Sequence, residues 1–171
     1  TIRLPADGGK WEGSEPARRA LYRSILEACP PGTFAWVDLE HGNDWPEVEA
    51  ACEAHGARIV RSAHDFSSPA SEGDILALVD AMAAGGAMPK YAAMCASTRD
   101  LLVLARVGAR LRSQGRQAVL LGMGPFGLPT RILSRNLASP WTYSSASLEV
   151  LESAGAGSSG PAAPGHLDPA V

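Results

Sequence analysis

The sequence predicts an α/β fold whose parallel strands belong to a barrel of the (β/α)8 kind. Two observations carry that prediction. Six short apolar segments read as strands, and helical stretches separate most of them at the spacing of βαβ units, so the strands run parallel with helices outside. The polar residues then fall at one end. Arg3, Glu40, His64, Lys90, Met123 and Tyr143 lie on or just past the C-terminal ends of the predicted strands, where barrel enzymes assemble their sites. A doubly wound open sheet shares the rhythm, but its dinucleotide-binding form lacks support. Gly122-Met123-Gly124-Pro125-Phe126-Gly127 reaches the GxGxxG spacing only by placing Gly122 inside a strand, and no acidic residue ends a following strand.

In chain order, residues 1–4 read as the end of a strand, followed by a Gly-containing loop to Gly13. Ser14-Glu15-Pro16 supplies a cap and an early proline, and Ala20, Leu21, Tyr22, Ile25 and Leu26 give one apolar helical face until Pro30-Pro31-Gly32 stops it. A strand is expected at 34–39, a helix at 45–55 closed by Gly56, and a strand at 58–62 running into Ala63-His64-Asp65-Phe66. A helix over 74–84 precedes the strand at 87–94. Ser97 or Thr98 caps a helix reaching Leu111, residues 118–123 form a strand, 128–136 a short helix, and 141–143 a last short strand.

At 171 residues the chain is long enough for one domain with a real core. With 46% hydrophobic and 19% charged residues it is globular, and a net charge of −3 without a basic block argues against nucleic acid as partner. Cys29, Cys52 and Cys95 are widely spaced in apolar or helical surroundings, which reads as reduced core thiols, not a disulfide framework or a metal site. No segment reaches the roughly 18 apolar residues of a membrane span, and no signal peptide opens the chain. The expected location is cytoplasmic, with no metal and no cofactor.

The chemistry centres on Ala87-Met88-Pro89-Lys90-Tyr91-Ala92-Ala93-Met94, an apolar run with one lysine set into it. Alternation along a strand points Lys90 the same way as Ala92 and Met94. Two readings stand on these residues alone: a strand-end lysine that reaches water, and a desolvated amine whose charged form is disfavoured, suited to forming a Schiff base with a carbonyl.

Several segments together carry a family resemblance. Ser62-Ala63-His64-Asp65-Phe66, Pro89-Lys90-Tyr91-Ala92-Ala93-Met94, Gly122-Met123-Gly124 with Gly127 and Thr130-Arg131, and Ala163-Pro164-Gly165 resemble the successive signatures of type I 3-dehydroquinate dehydratase, in that family's order. The resemblance runs from Thr1 to about Asp168. It implies a (β/α)8 barrel and dehydration of 3-dehydroquinate to 3-dehydroshikimate in the shikimate pathway. Lys90 is then the amine that condenses with the ring ketone. His64 is the base that removes the proton beside the iminium and, as an acid, delivers one to the departing hydroxyl, for which a pKa near neutral is suited. Arg131 is implied to clamp the substrate carboxylate, a two-pronged task that favours arginine over lysine. Arg3 stands where the family has a second substrate-binding arginine, and Met123 and Tyr143 join the implied substrate shell. Asp7, in Asp7-Gly8-Gly9, stands where the family's Glu-Gly-Gly places a glutamate that orients the histidine, with a reach one methylene shorter.

The departures set further expectations. His166 replaces a glutamine of the family's closing loop, and Ala162 a frequent serine; residues 155–171, rich in Gly, Ser and Ala, are expected to be a substrate lid and connector beyond a barrel domain at 1–154. Thr1 aligns with the family's third strand, so the first two β/α units are expected to be absent, with six strands present. Either the chain is part of a longer polypeptide or something else covers the gap. His166-Leu167-Asp168-Pro169 resembles the connector to a fused shikimate dehydrogenase domain, so the expected partners are the small-molecule substrate and either a second copy or that adjacent domain. The alternative is a non-catalytic relative that binds a quinate-type ligand or packs against a partner domain.

Overall fold

Helix α1 (Glu15–Ala28) begins where Ser14 caps it: the Ser14 side chain accepts from the Ala17 N–H at 3.4 Å, and Pro16 occupies the first turn. Its inward stripe is Arg18, Tyr22 and Leu26, one residue per turn. An arginine at the head of that stripe is unusual, and its partners lie in the site described below. In this computed structural model, which describes residues 1–144, four strands follow: β1 (Trp36–Glu40), β2 (Arg58–Asp65), β3 (Met88–Met94) and β4 (Val119–Met123). Helix α2 (Pro46–His55) joins β1 to β2, α3 (Glu72–Met82) joins β2 to β3, and α4 (Thr98–Ser113) joins β3 to β4. A short α5 (Leu128–Ile132) comes after β4.

The strands form one parallel sheet in the order β1-β2-β3-β4, and β1 pairs with β2 in the register Asp38↔Val60 and Glu40↔Ser62. Each strand is followed by its neighbour, without the reversal of a doubly wound sheet.

The chain divides into two compact units. One holds Thr1–His64 with Val79–Lys90, the other Asp65–Leu78 with the chain from Tyr91 onward. In the first, Tyr22 and Leu26 of α1, Val37 and Leu39 of β1, and Trp45, Val48, Cys52 and Ala57 make one apolar cluster. Gly56 closes α2 in the left-handed region at φ 78°, where a Cβ would be strained. In the second, Ser97 caps α4 by accepting from the Asp100 N–H, and Leu104, Val107 and Leu111 bury its inner face. Gly122 of β4 lies so close to Gly127 that a Cβ on Gly122 would fall 2.4 Å from the Gly127 Cα. That backbone contact accounts for the glycine spacing seen in the sequence.

Two of the six predicted strands are corrected. Residues 1–4 are irregular because their carbonyls are engaged locally: Leu4 O accepts from Asp7 N and Gly9 N, and Arg3 O from Trp11 N, turning the chain through a 3-10 segment at Pro5–Asp7. Residues 141–143 are also irregular, and only Ser144 forms an isolated bridge. Pro140 has no N–H to give a ladder, and the Ser139 hydroxyl already takes the Leu120 N–H at 2.9 Å and donates to Ala118 O at 3.1 Å on the β4 edge. Four described strands form an unclosed sheet, so the barrel and its six-strand count are not seen. The predicted helix at 128–136 is broken into α5 and a 3-10 turn at Ser134–Leu137.

Candidate active site

Alternation along the strands gives the sheet of the first unit a charged face. Val37 and Leu39 enter the core, so Asp38 and Glu40 of β1 point the other way, and the register sets Ser62 of β2 level with Glu40. His64 follows Ser62 by two residues and shares its face. Lys90, third of seven residues in β3, joins them from mid-strand, not from the strand end that the sequence suggested.

The Lys90 ammonium donates to Asp38 Oδ2 at 2.7 Å, and Arg3 Nη2 donates to the same oxygen at 3.0 Å. Ser62 Oγ donates to Asp38 Oδ1 at 2.6 Å, so both oxygens of this carboxylate are engaged. Glu40 lies beside Arg3 Nε at 3.4 Å and accepts from Asn43 Nδ2 at 2.9 Å and from Arg18 Nη1 at 3.5 Å. Lys90 is 5% exposed, which settles between the two readings of its environment: it is buried.

The electrostatics follow from that burial. Loss of water pushes the Lys90 amine below the usual lysine range; Asp38 opposes this, while Arg3 adds to it. Burial alone pushes the Asp38 carboxyl up, but the Lys90 and Arg3 charges and the Lys90 and Ser62 hydrogen bonds prevail and hold it below the usual carboxylate range. His64 is driven down to about 3, first by burial and then by the Arg3 and Lys90 charges, with Asp38 opposing. A pKa near neutral was expected; burial first, and then the two adjacent cations, explain the difference.

Arg3 owes its place to the loop after it. Gly8 ends the 3-10 turn in the left-handed region at φ 79°, and Gly9 lies against the Arg3 carbonyl, where a Cβ would fall 1.9 Å from the oxygen. Asp7-Gly8-Gly9 therefore folds back upon Arg3. Among the described residues the Asp7 side chain makes no hydrogen bond or ion pair, while its loop carries Arg3. Asp38 is the carboxylate nearest in function, acting on Lys90 and on the charge around His64.

In the second unit, Arg131 of α5 is 3% exposed, and its Nη1 donates to the Tyr143 carbonyl at 3.2 Å. Thr130 anchors the turn before it, with its hydroxyl accepting from Gly122 N and donating to Gly127 O. Met123 ends β4, buried, with its carbonyl accepting from Cys95 N at 2.9 Å. Burial pushes the Cys52 and Cys95 thiols up to about 11, which makes them poor nucleophiles. His166 lies outside the described residues. Among the described residues, no three His, Cys, Asp or Glu side chains converge as a metal site would need, and no helix is long and apolar enough to cross a membrane.

A buried lysine and a neutral histidine thus lie on the parallel sheet, with Arg3 beside them from the N-terminal segment. The family model for type I 3-dehydroquinase matches residues 1–170. The chain belongs to that family. It is 34% identical over 152 residues to the 3-dehydroquinate dehydratase of Methanosarcina barkeri, covering 88% of this chain and 63% of that protein. It is 31% identical over 149 residues to the enzyme of the same name from Klebsiella pneumoniae, covering 84% and 58%. The crystal structure of 3-dehydroquinate dehydratase from Geobacillus kaustophilus superimposes with a TM-score of 0.78 at 26% identity, covering 97% of this chain and 61% of that one. The chain thus spans about three-fifths of the length of these dehydroquinase relatives.

Two site residues of this family member were not singled out in the sequence: Asp38 and Arg18. In the sequence alone Asp38 is one more residue of the strand at 34–39. Its signal was present in Asp38-Leu39-Glu40, two carboxylates at i and i+2 in an apolar strand, since such groups are seldom buried without partners.

Proposed function

We propose that this chain carries out the dehydration of 3-dehydroquinate to 3-dehydroshikimate through a Schiff base on Lys90. The observation that supports it most is the Lys90 amine itself, buried and shifted toward its neutral form within 2.7 Å of Asp38. In this reading the neutral amine adds to the ring ketone and, with one proton taken up from solvent and released again at the final hydrolysis, water leaves, giving an iminium whose positive charge Asp38 offsets. The iminium acidifies the neighbouring C–H, and His64 accepts that proton. The resulting enamine expels the hydroxyl with the proton returned from the imidazolium, so a second water leaves. Hydrolysis of the conjugated iminium frees the product and restores the amine. Arg3 is placed to meet a negative or hydroxyl group of the substrate. An anion bound there would cancel one of the two charges that hold His64 down, raising its basicity when the substrate is present. Family resemblance supports carboxylate binding by Arg131 and substrate contacts by Met123, Tyr143 and His166, and the same resemblance supports a (β/α)8 barrel as the setting for these strands.

The residues at 155–171 are proposed as a lid and connector after a domain at 1–154, on their Gly, Ser and Ala content. A homodimer or an adjacent shikimate dehydrogenase domain is the proposed partner, and the free Cys29, Cys52 and Cys95 support a cytoplasmic setting.

One observation favours a second reading, a domain that binds a quinate-type ligand without turnover. His64 is a weak base at a pKa of about 3. Borohydride added with 3-dehydroquinate separates the two. Trapped substrate on the Lys90 peptide, with turnover in a dehydration assay, is the expected result; label on Lys10 alone would remove the Schiff-base reading.

A further inference from the structure

Arg18 is 1% exposed, and nothing in the reaction above needs it. Its guanidinium lies 4.7 Å from the centre of the Trp45 ring, and Nη1 is 3.5 Å from Glu40 Oε2. Taking an arginine out of water costs several kcal/mol, and an apolar residue of similar volume at the head of the α1 stripe often serves stability as well or better. The burial is therefore informative. Arg18 meets Glu40, Glu40 meets Arg3, Arg3 meets Asp38, and Asp38 meets Lys90. This series contains two carboxylates and three cationic groups. The guanidiniums remain charged at any ordinary pH, so they match the two carboxylates and leave Lys90 as the group whose deprotonation brings the cluster to neutrality.

We propose that Arg18 is the positioning residue that keeps Lys90 reactive, by neutralising Glu40 from behind and so leaving Arg3 to serve Asp38. The groups facing Lys90 are Asp38 and Glu40 from β1, Ser62 and His64 from β2, and Arg3 from the N-terminal segment. Glu40 without Arg18 would be a surplus negative charge in that set. It would draw Arg3 away from Asp38 and hold the proton on Lys90. The functional importance of a neutral Lys90 rests on the dehydratase reading, but the titration itself does not.

The test uses the only two lysines of the chain, Lys90 and the exposed Lys10. Reductive methylation with formaldehyde and cyanoborohydride across pH, read by mass on each peptide, gives the titration profile of Lys90 with Lys10 as internal reference. In the unaltered 171-residue chain the Lys90 midpoint is expected below the usual lysine range. Arg18→Gln should move it up, cutting Lys90 labelling at a fixed pH below both midpoints by about tenfold per pH unit of movement. Arg18→Lys should stay near the unaltered profile. Glu40→Gln should move the midpoint down, and the Arg18→Gln, Glu40→Gln pair should return it to near its starting value. The last two variants decide the matter if Arg18→Gln alone does not fold. An unmoved profile in Arg18→Gln, an Arg18→Lys profile as displaced as Arg18→Gln, or an upward shift in Glu40→Gln would overturn the proposal. Labelling needs no substrate, so a chain with these profiles and no turnover keeps this inference while losing the dehydratase reading.

Discussion

Asp38 holds two donors on one oxygen, and that fixes what its replacement should do. In Asp38→Asn, Arg3 and Lys90 both lose a charged acceptor, each such bond contributing about 1.5–3 kcal/mol. Part of this is felt equally before and during reaction, but the support for iminium charge is felt only as the Schiff base forms. Turnover should fall by about 10- to 100-fold, with KM changed much less, in a steady-state dehydration assay. A raised KM with turnover unchanged would instead mark Asp38 as a binding residue. At this scale the sequence disclosed the residues with distinctive chemistry: a lysine in an apolar run, a histidine at a strand end, and Arg3. It concealed those whose meaning depends on neighbours far along the chain. Asp38 and Lys90 are 52 residues apart, and no local pattern reports their contact. Asp7-Gly8-Gly9 shows the opposite case, a local motif visible in the sequence whose glycines serve the turn that carries Arg3.

Among the elements, the close approach of β4 to the turn after it gives a steric prediction. Gly122→Ala would place a Cβ 2.4 Å from the Gly127 Cα and 3.0 Å from the Gly127 oxygen, both backbone atoms that no rotamer change can move. The cost should be about 1–3 kcal/mol, typical of overpacking, read as a lower midpoint in urea unfolding at unchanged slope. An unchanged midpoint would mean the turn at Pro125–Gly127 yields without penalty. The same approach shows why some elements are legible in the sequence and others are not. Strands β1 to β4 each contain an apolar run that must be buried, and these were legible. Residues 1–4 and 141–143 contain similar residues, but their fate was decided by backbone partners. Arg3 and Leu4 carbonyls close a local turn, and Ser139 takes the β4 edge first. Hydrogen-bond competition of this kind leaves no periodicity in the sequence.

For the whole molecule, the charged face makes stability depend on acidity, with a sign that can be worked out. His64 has a folded pKa of about 3 and an ordinary value near 6.5, so between these the unfolded chain binds more protons than the folded one. Stability therefore rises with pH through that window and falls on acidification from 6.5 toward 3. Asp38 and Asp65 are also held below their ordinary values: in each, burial opposes the shift, Lys90 and Arg3 outweigh it at Asp38, and bonds from Ser67 and Ser68 outweigh it at Asp65. Their contributions are lost in the same direction, but only as the pH falls below about 3.8. A comparison at pH 7 and pH 4.5 consequently reads mainly the histidine. Allowing for the partial exposure of the ring, the unaltered chain should lose roughly 1–2 kcal/mol between those two conditions. His64→Asn should remove most of that difference, because asparagine takes up no proton in either state, and the contribution of displaced Lys90 is largely common to both proteins. Denaturant unfolding at the two pH values, on both proteins, measures it. Equal losses in the two would mean that His64 titrates in the folded chain near its ordinary value, against the downward push of burial, Arg3 and Lys90.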